Sequence, residues 1–321
     1  MTAPPARAHA PAAPTPMAPV GATRAWLALL AAVVSALTIA GLARIAVDTA
    51  SGQRLDQLIL SGADGHQGTL AQYAQLAVES VSTPVIAGIL VLTIVLALVR
   101  RRARILLPLG LLVLGANLTT QIIKHVLVTR EALGPGIEIT PNSFPSGHTT
   151  LAATAMVALV LASGPARVIL APLGALWTTA AGIGTLVVGW HRPSDVVGAI
   201  VVAAAWTFLV LALDGFLTRR GALRAARRSG RGRRRAYAEL PGAAGEGLGV
   251  AGAVVASLLG LAGVVGLAAG AAGLTSLGLP LDLNDTAQQQ SAFTAAACLV
   301  GGGTAAWMAL VLVLRTPISH R

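Results

Sequence analysis

The chain has 321 residues, of which 55% are hydrophobic and only 11% charged, against about a quarter charged in an ordinary soluble domain. The formal net charge is +11, yet the charges are clustered and leave apolar stretches of about 20 residues, the length that spans a bilayer. That pattern excludes a soluble globular enzyme. The arginines fall in short loops between apolar runs, so the basic balance points to membrane orientation and anionic headgroups rather than to nucleic acid.

Residues 1–22 are rich in Ala and Pro and predict a disordered cytoplasmic tail. Apolar runs at 25–47, 82–99, 104–123, 149–164, 168–190, 195–216, 247–271 and 292–314 predict about eight transmembrane helices. The expected fold is therefore all-α, a polytopic membrane helix bundle. The run at 149–164 is short unless Ser146–His148 forms its first turn. Between the first two spans, Leu55, Leu58, Ile59, Leu60, Leu70, Tyr73, Leu76 and Val78 suit one or two amphipathic helices on the membrane, a lid or a packed connector. Residues 218–246 form a basic loop carrying the Arg219–Arg235 run, which reads as a topogenic anchor able to meet anionic lipids. Residues 247–321 add a two-helix hairpin and tail, in which Ala262, Gly266 and Gly270 recur every four positions and would allow a homodimer. The one cysteine, Cys298, lies inside an apolar run, so no internal disulfide forms.

Loop charges set the orientation. With Arg7 and Arg24 cytoplasmic, the cytoplasmic segments hold Arg100–Arg104, Arg167, Arg219–Arg235, Arg315 and Arg321. The opposite loops hold Asp48, Asp56, Asp64, Glu79, Glu131, Glu138, Asp282 and Asp285. Every cytoplasmic segment carries arginine, as the positive-inside rule requires. Three polar motifs from separate stretches then meet on the outer face of the cell membrane.

The first motif is Lys124, the only lysine of the chain, with Arg130 six residues on. The second is Pro145-Ser146-Gly147-His148, directly before an apolar run. The third is His191-Arg192-Pro193-Ser194-Asp195, directly before another. Phosphate hydrolysis without a metal needs a nucleophile, an acid for the leaving oxygen, and cations or N–H donors around the remaining oxygens. His191 and Asp195 are four apart, so with Ser194 as N-cap the carboxylate could lie one turn from the imidazole. Ser146 and Gly147 open a helix whose free amides suit an anion. Lys124 and Arg130 supply charge, and Arg130 can grip two oxygens. Standing alone, Lys124 and Arg130 would also suit interfacial snorkelling. His125 reads as interfacial, His9 and His66 as loop residues, and His320 as a tail residue.

These motifs resemble those of the type 2 phosphatidic acid phosphatase family over residues 104–216, most sharply at Asn142–Thr150. The resemblance implies a six-helix lipid phosphatase core over 23–217 and a metal-independent, cofactor-free reaction through a phosphohistidine. His191 would be the nucleophile, Asp195 its orienting partner and His148 the acid. Lys124, Arg130, Ser146, Gly147 and Arg192 would bind the phosphate. The family has an arginine seven residues after the lysine, followed by proline; here Arg130 is six after Lys124 and Glu131 follows. The family's Ser-Arg pair before the nucleophile is replaced by Gly184-Thr185, and Arg192 stands ready to substitute. The implied substrates are a polyprenyl pyrophosphate, phosphatidylglycerol phosphate or phosphatidic acid. A non-catalytic relative that binds or moves a phospholipid is the alternative, suggested by Thr185.

Overall fold

The structure is a computed structural model and describes residues 20–64, 68–137, 142–228 and 248–315. Most of the expected tail, His9, His66, Glu138, residues 229–246 of the basic loop, Gly247, and His320 with Arg321 lie outside the described residues. Ten helices make up an all-α bundle, with no strand among those residues. They are α1 (Val20–Leu42), α2 (Ala50–Asp64), α3 (Thr69–Glu79), α4 (Thr83–Val99) and α5 (Leu106–Ile122), followed by α6 (Gly147–Ala162), α7 (Arg167–Val187), α8 (Pro193–Arg228), α9 (Gly249–Thr275) and α10 (Thr286–Leu314).

Each of the eight expected spans coincides with a helix, but not all meet the length of a membrane crossing. Six do: the helices containing 23–47, 103–127, 164–187, 193–221, 249–275 and 286–314. α3 and α4 reach that length only when taken together, and they are bent by 55° at their junction. α6 has 16 residues and stays short even though its first turn includes Gly147 and His148. The chain is a multi-pass membrane protein. Two expected boundaries move. The first helix starts at Val20, inside the expected tail, and α8 runs on to Arg228, so the start of the expected basic loop is helical. Apolar spacing marks a span, whereas the end of a helix depends on where its backbone carbonyls find partners.

α8 and α10 are central, with 67% and 56% of their apolar windows buried, while α9 is peripheral at 17%. Large side chains such as Trp26, Leu30, Leu107, Leu114 and Val264 are exposed, as lipid-facing positions are. Small residues and hydroxyls join the inner helices, since apolar burial drives little association within lipid. Thr120 and Thr150 hydroxyls meet at 3.1 Å, and Asn117 Nδ2 donates to Thr154 at 3.3 Å, tying α5 to α6. Trp206 packs over Gly115, where a Cβ would lie 2.5 Å from the indole, and its Nε1 donates to Thr119 Oγ1 at 3.0 Å. The small-residue stripe expected to serve a homodimer is taken up within the chain. A Cβ at Gly263, Gly266 or Gly270 would collide with Ala306, Gly302 or Leu299 of α10, whereas Ala262 is exposed. The true register of the stripe follows the crossing of α9 on α10.

The segment between α1 and α4 is a packed connector. α2 buries Asp56, Leu58, Ile59, Gly62 and Ala63 against α7, α8 and α10. At Gly62 a Cβ would lie 2.1 Å from the Gln289 carbonyl oxygen, so only glycine permits that approach to α10.

Candidate active site

Three chain segments end at one end of the bundle, and local chemistry fixes each. α5 widens into a π-turn over Ile123–Leu127, which carries Lys124. Asn142 fastens the following loop to this turn. Its Nδ2 donates to the carbonyls of Lys124 at 2.9 Å and Val128 at 2.6 Å, and its Oδ1 accepts from Phe144 N at 3.0 Å. Phe144 is fully buried against Gly198 of α8, where a Cβ would lie 2.6 Å from the ring. Ser146 then caps α6, its Oγ accepting from Thr149 N at 3.3 Å. The helix supplies no acceptor for the N–H groups of Gly147 and His148, as at any helix start, and amides so placed suit an anion. A Cβ at Gly147 would meet only Gln121 Nε2, at 3.7 Å, so the protein's own packing does not demand glycine there.

α7 ends in a Schellman turn. Gly189 adopts φ +71°, Gly189 N donates to Leu186 O at 3.0 Å and Trp190 N to Thr185 O at 3.0 Å. His191 N also reaches Thr185 O, at 3.2 Å, so this turn places the nucleophile candidate. α8 starts immediately, with Pro193 as its first residue, where a missing N–H costs nothing. Ser194 was expected as the cap and instead lies in the first turn.

Asp195 is fully buried and gathers the three motifs. Its Oδ2 accepts from Arg192 N at 2.9 Å and from Ser143 Oγ, and lies 3.5 Å from His191 Nδ1. Its backbone carbonyl accepts from Ser146 N at 2.9 Å. Arg130 Nη1 approaches Asp195 Oδ1 at 3.4 Å. The 3.5 Å to His191 is long for a hydrogen bond, and Nδ1 has no other acceptor among the described residues; a loose apo contact of this kind tightens when charge develops on the ring. The exposed His148 ring faces His191 with 6.4 Å between ring centroids and touches Trp190 at 5.6 Å. Lys124 is half-buried and close enough to feel the Asp195 charge.

Two features were not legible in the motifs. Asp56, counted from sequence only as a loop charge, is buried in the site. It pairs with Arg130 Nη2 at 2.7 Å and accepts from Ser194 N at 3.1 Å and from Ser194 Oγ. Arg130 therefore bridges two carboxylates. Burial pushes the Asp56 carboxyl up to about 6, and the Arg130 guanidinium only partly offsets this. Trp190, half exposed beside both histidines, is the other. Its only sequence signal was an aromatic residue at a span end.

The departure at Gly184-Thr185 has a packing reason. α3 crosses α7 there, and a Cβ at Gly184 would lie 2.9 Å from the Ala74 carbonyl oxygen. Thr185 is buried, its hydroxyl donating to Gly182 O at 2.7 Å. No cation reaches the site from this turn. Arg192 is also buried.

The PAP2 superfamily model matches residues 105–219, about a third of the chain. Over this segment the chain is similar to the PAP2 superfamily. The match spans α5 to α8 and contains all three motifs. It supports a type 2 phosphatidic acid phosphatase-like core and, in general terms, phosphatase chemistry on phosphoesters. No curated protein and no solved structure matches the chain.

Proposed function

We propose that this protein is a membrane lipid phosphatase that hydrolyses a phosphomonoester or pyrophosphate of a lipid at the outer face of the cell membrane, without a metal, through a phosphohistidine. Polyprenyl pyrophosphate, phosphatidylglycerol phosphate and phosphatidic acid are the candidate substrates, in that order. The observation that carries the reading is His191, backed by the buried Asp195 and facing His148 at a membrane-span end.

In this reading the free ring nitrogen of His191, Nε2, attacks phosphorus while Asp195 holds the Nδ1 proton. The bond to the leaving oxygen breaks, and that oxygen takes a proton from His148. Water, deprotonated by His148, then attacks the phosphohistidine, releasing phosphate and restoring His191. Lys124, Arg192, the Ser146 hydroxyl and the amides of Gly147 and His148 surround the equatorial oxygens. A second reading, a non-catalytic lipid-binding member, is favoured by one observation: Thr185 is buried where the family's arginine would stand.

Phosphate release from a panel of lipid phosphates by purified protein in detergent separates the two. Catalysis unaffected by EDTA supports the first reading. Loss with EDTA and rescue by Mg²⁺ or Zn²⁺ excludes it, and no release from any substrate favours the second. Sidedness is tested in a Cys298→Ala background. Ser276→Cys, in the exposed turn after α9, should label with an impermeant thiol reagent on intact cells, and Ala103→Cys only after lysis. The reverse pattern would put the site on the cytoplasmic face.

A further inference from the structure

We propose that Asp56 is a positioning residue: through Arg130 and Ser194 it sets where Asp195, and so His191, stand. The proposal rests on the phosphatase reading above and adds to it a part outside the matched segment. It makes α2, and the hairpin of α9 and α10 behind it, components of the active site.

The geometry forms one continuous line. Asp56 holds Arg130 Nη2 at 2.7 Å, Arg130 Nη1 lies 3.4 Å from Asp195, and Asp195 lies 3.5 Å from His191 Nδ1. A second link runs from Asp56 to Ser194, the residue before Asp195, through both the backbone N–H and the hydroxyl. With both arms on carboxylates, Arg130 is committed to orientation in the resting protein. The phosphate charge then falls to Lys124, Arg192 and the helix amides.

α2 is itself held from two sides. Gln53 Nε2 donates to Glu131 O at 2.7 Å, and Gln53 Oε1 accepts from Leu133 N at 3.0 Å, which fixes α2 to the chain beside Arg130. Arg54 Nε donates to Leu281 O at 2.7 Å in the turn between α9 and α10. Gly62 seats α2 on Gln289. The last two helices, which carry no motif of their own, thereby hold in place the helix that bears Asp56.

Burial raises the Asp56 pKa from 3.8 to about 6 although Arg130 opposes the shift; the charges facing it are Arg130 and Asp195. A carboxyl whose folded pKa is raised contributes stability at low pH that is lost as pH rises through about 6. Removing the carboxylate would leave Arg130 buried beside Asp195 alone, so rate and stability are read separately in the test. A misplacement on the order of 1 Å costs about 10²-fold in rate.

The test compares wild type, Asp56→Asn, Asp56→Glu, Arg130→Gln and the Asp56→Asn/Arg130→Gln double variant. Phosphatidic acid turnover and orthovanadate quenching of Trp190 fluorescence are the readouts. Asp56→Asn should lower kcat roughly 10- to 100-fold and leave KM within about threefold. The portion of the acid limb near pH 6 should vanish, and vanadate should bind about tenfold more weakly. The double variant should be no worse than the poorer single one, because the residues act as a unit. Asp56→Glu keeps the charge and should keep the acid limb with an intermediate kcat; it carries the test if Asp56→Asn fails to fold. Wild-type kcat and vanadate affinity in either folded Asp56 variant, or multiplicative losses in the double variant, overturn the proposal. Absent turnover in wild type fails the phosphatase reading instead, and vanadate binding then still decides on Asp56.

Discussion

At the site end of the bundle, Asp56, Arg130 and Asp195 are buried together, with Arg130 between the two carboxylates. At the opposite end Arg100, Arg102, Arg167 and Arg315 converge, with Asp214 opposing them. Arg315 is only 8% exposed, and its Nη1 and the Arg167 Nε have no hydrogen-bond partner among the described residues. Burial and the like charges around it pull the Arg315 pKa down to about 10. The Arg100 guanidinium presses on Gly164, where a Cβ would lie 1.9 Å from Nη1. Paired buried charges cost desolvation but fix positions, which suits a site that must hold an imidazole against a carboxylate. Crowded cations fix little and depend on water or anionic headgroups, which suits an orientation signal.

The contrast predicts large losses of activity at one end and small changes of stability at the other. His191→Ala should lower phosphate release by about 10⁴-fold or more and leave no acid-labile phosphoenzyme. His148→Ala should lose most activity on lipids but much less on a nitrophenyl ester, whose leaving group needs no proton. Near-wild-type release by the His191→Ala protein would remove the chemistry from this end altogether.

Arg192→Ala comes next. Loss of one preorganised donor costs about 10²–10³ in turnover, and Arg192→Lys should recover little because an ammonium cannot make a planar two-oxygen grip. Unchanged steady-state kinetics in both variants would leave Lys124, Ser146 and the amides of Gly147 and His148 as the whole cradle.

Restoring the family's serine by Gly184→Ser should be felt as stability rather than rate. The new Cβ meets the Ala74 backbone oxygen at 2.9 Å, and overpacking of this kind costs about 1–3 kcal/mol. A lowered Tm in detergent is expected, and an unchanged Tm would show that α3 yields.

The smallest effect is expected at the cationic end. A buried base whose pKa is lowered opposes folding at every pH below about 10. Arg315→Gln should therefore raise Tm by roughly 2 °C in neutral detergent with kcat unchanged. The gain should shrink in phosphatidylglycerol, whose phosphates would neutralise the arginines. A fall in Tm would mean that this end is stabilised by its cations and that the contrast between the two ends is false.

The resemblance and the spacing of apolar runs placed the helices and the three motifs, because periodicity and helix-start chemistry are local. Ser146 and Gly147 read as a helix start and are one, whereas the cap read at Ser194 falls inside the first turn of α8, which Pro193 opens. The four-residue spacing suggested one helical turn between His191 and Asp195, but α8 begins at Pro193 and His191 stands before it, set by the turn that ends α7 and 3.5 Å from the carboxylate. What the chain could not foretell is anything set by contact between distant segments. Asp56 reads as one acidic residue in a loop until α2 folds against α8 and meets Ser194, 138 residues away. Arg130 reads as one cation of a motif, and only the fold sets two carboxylates against its guanidinium. Gly266 and Gly270 read as a surface for close helix packing, and only the fold names α10 as the helix that uses them. Gly184 reads as a lost serine until α3 is seen against it. Secondary structure and motif chemistry are written in neighbouring residues, whereas partner choice for a buried charge or a bare glycine is decided only when helices close on one another.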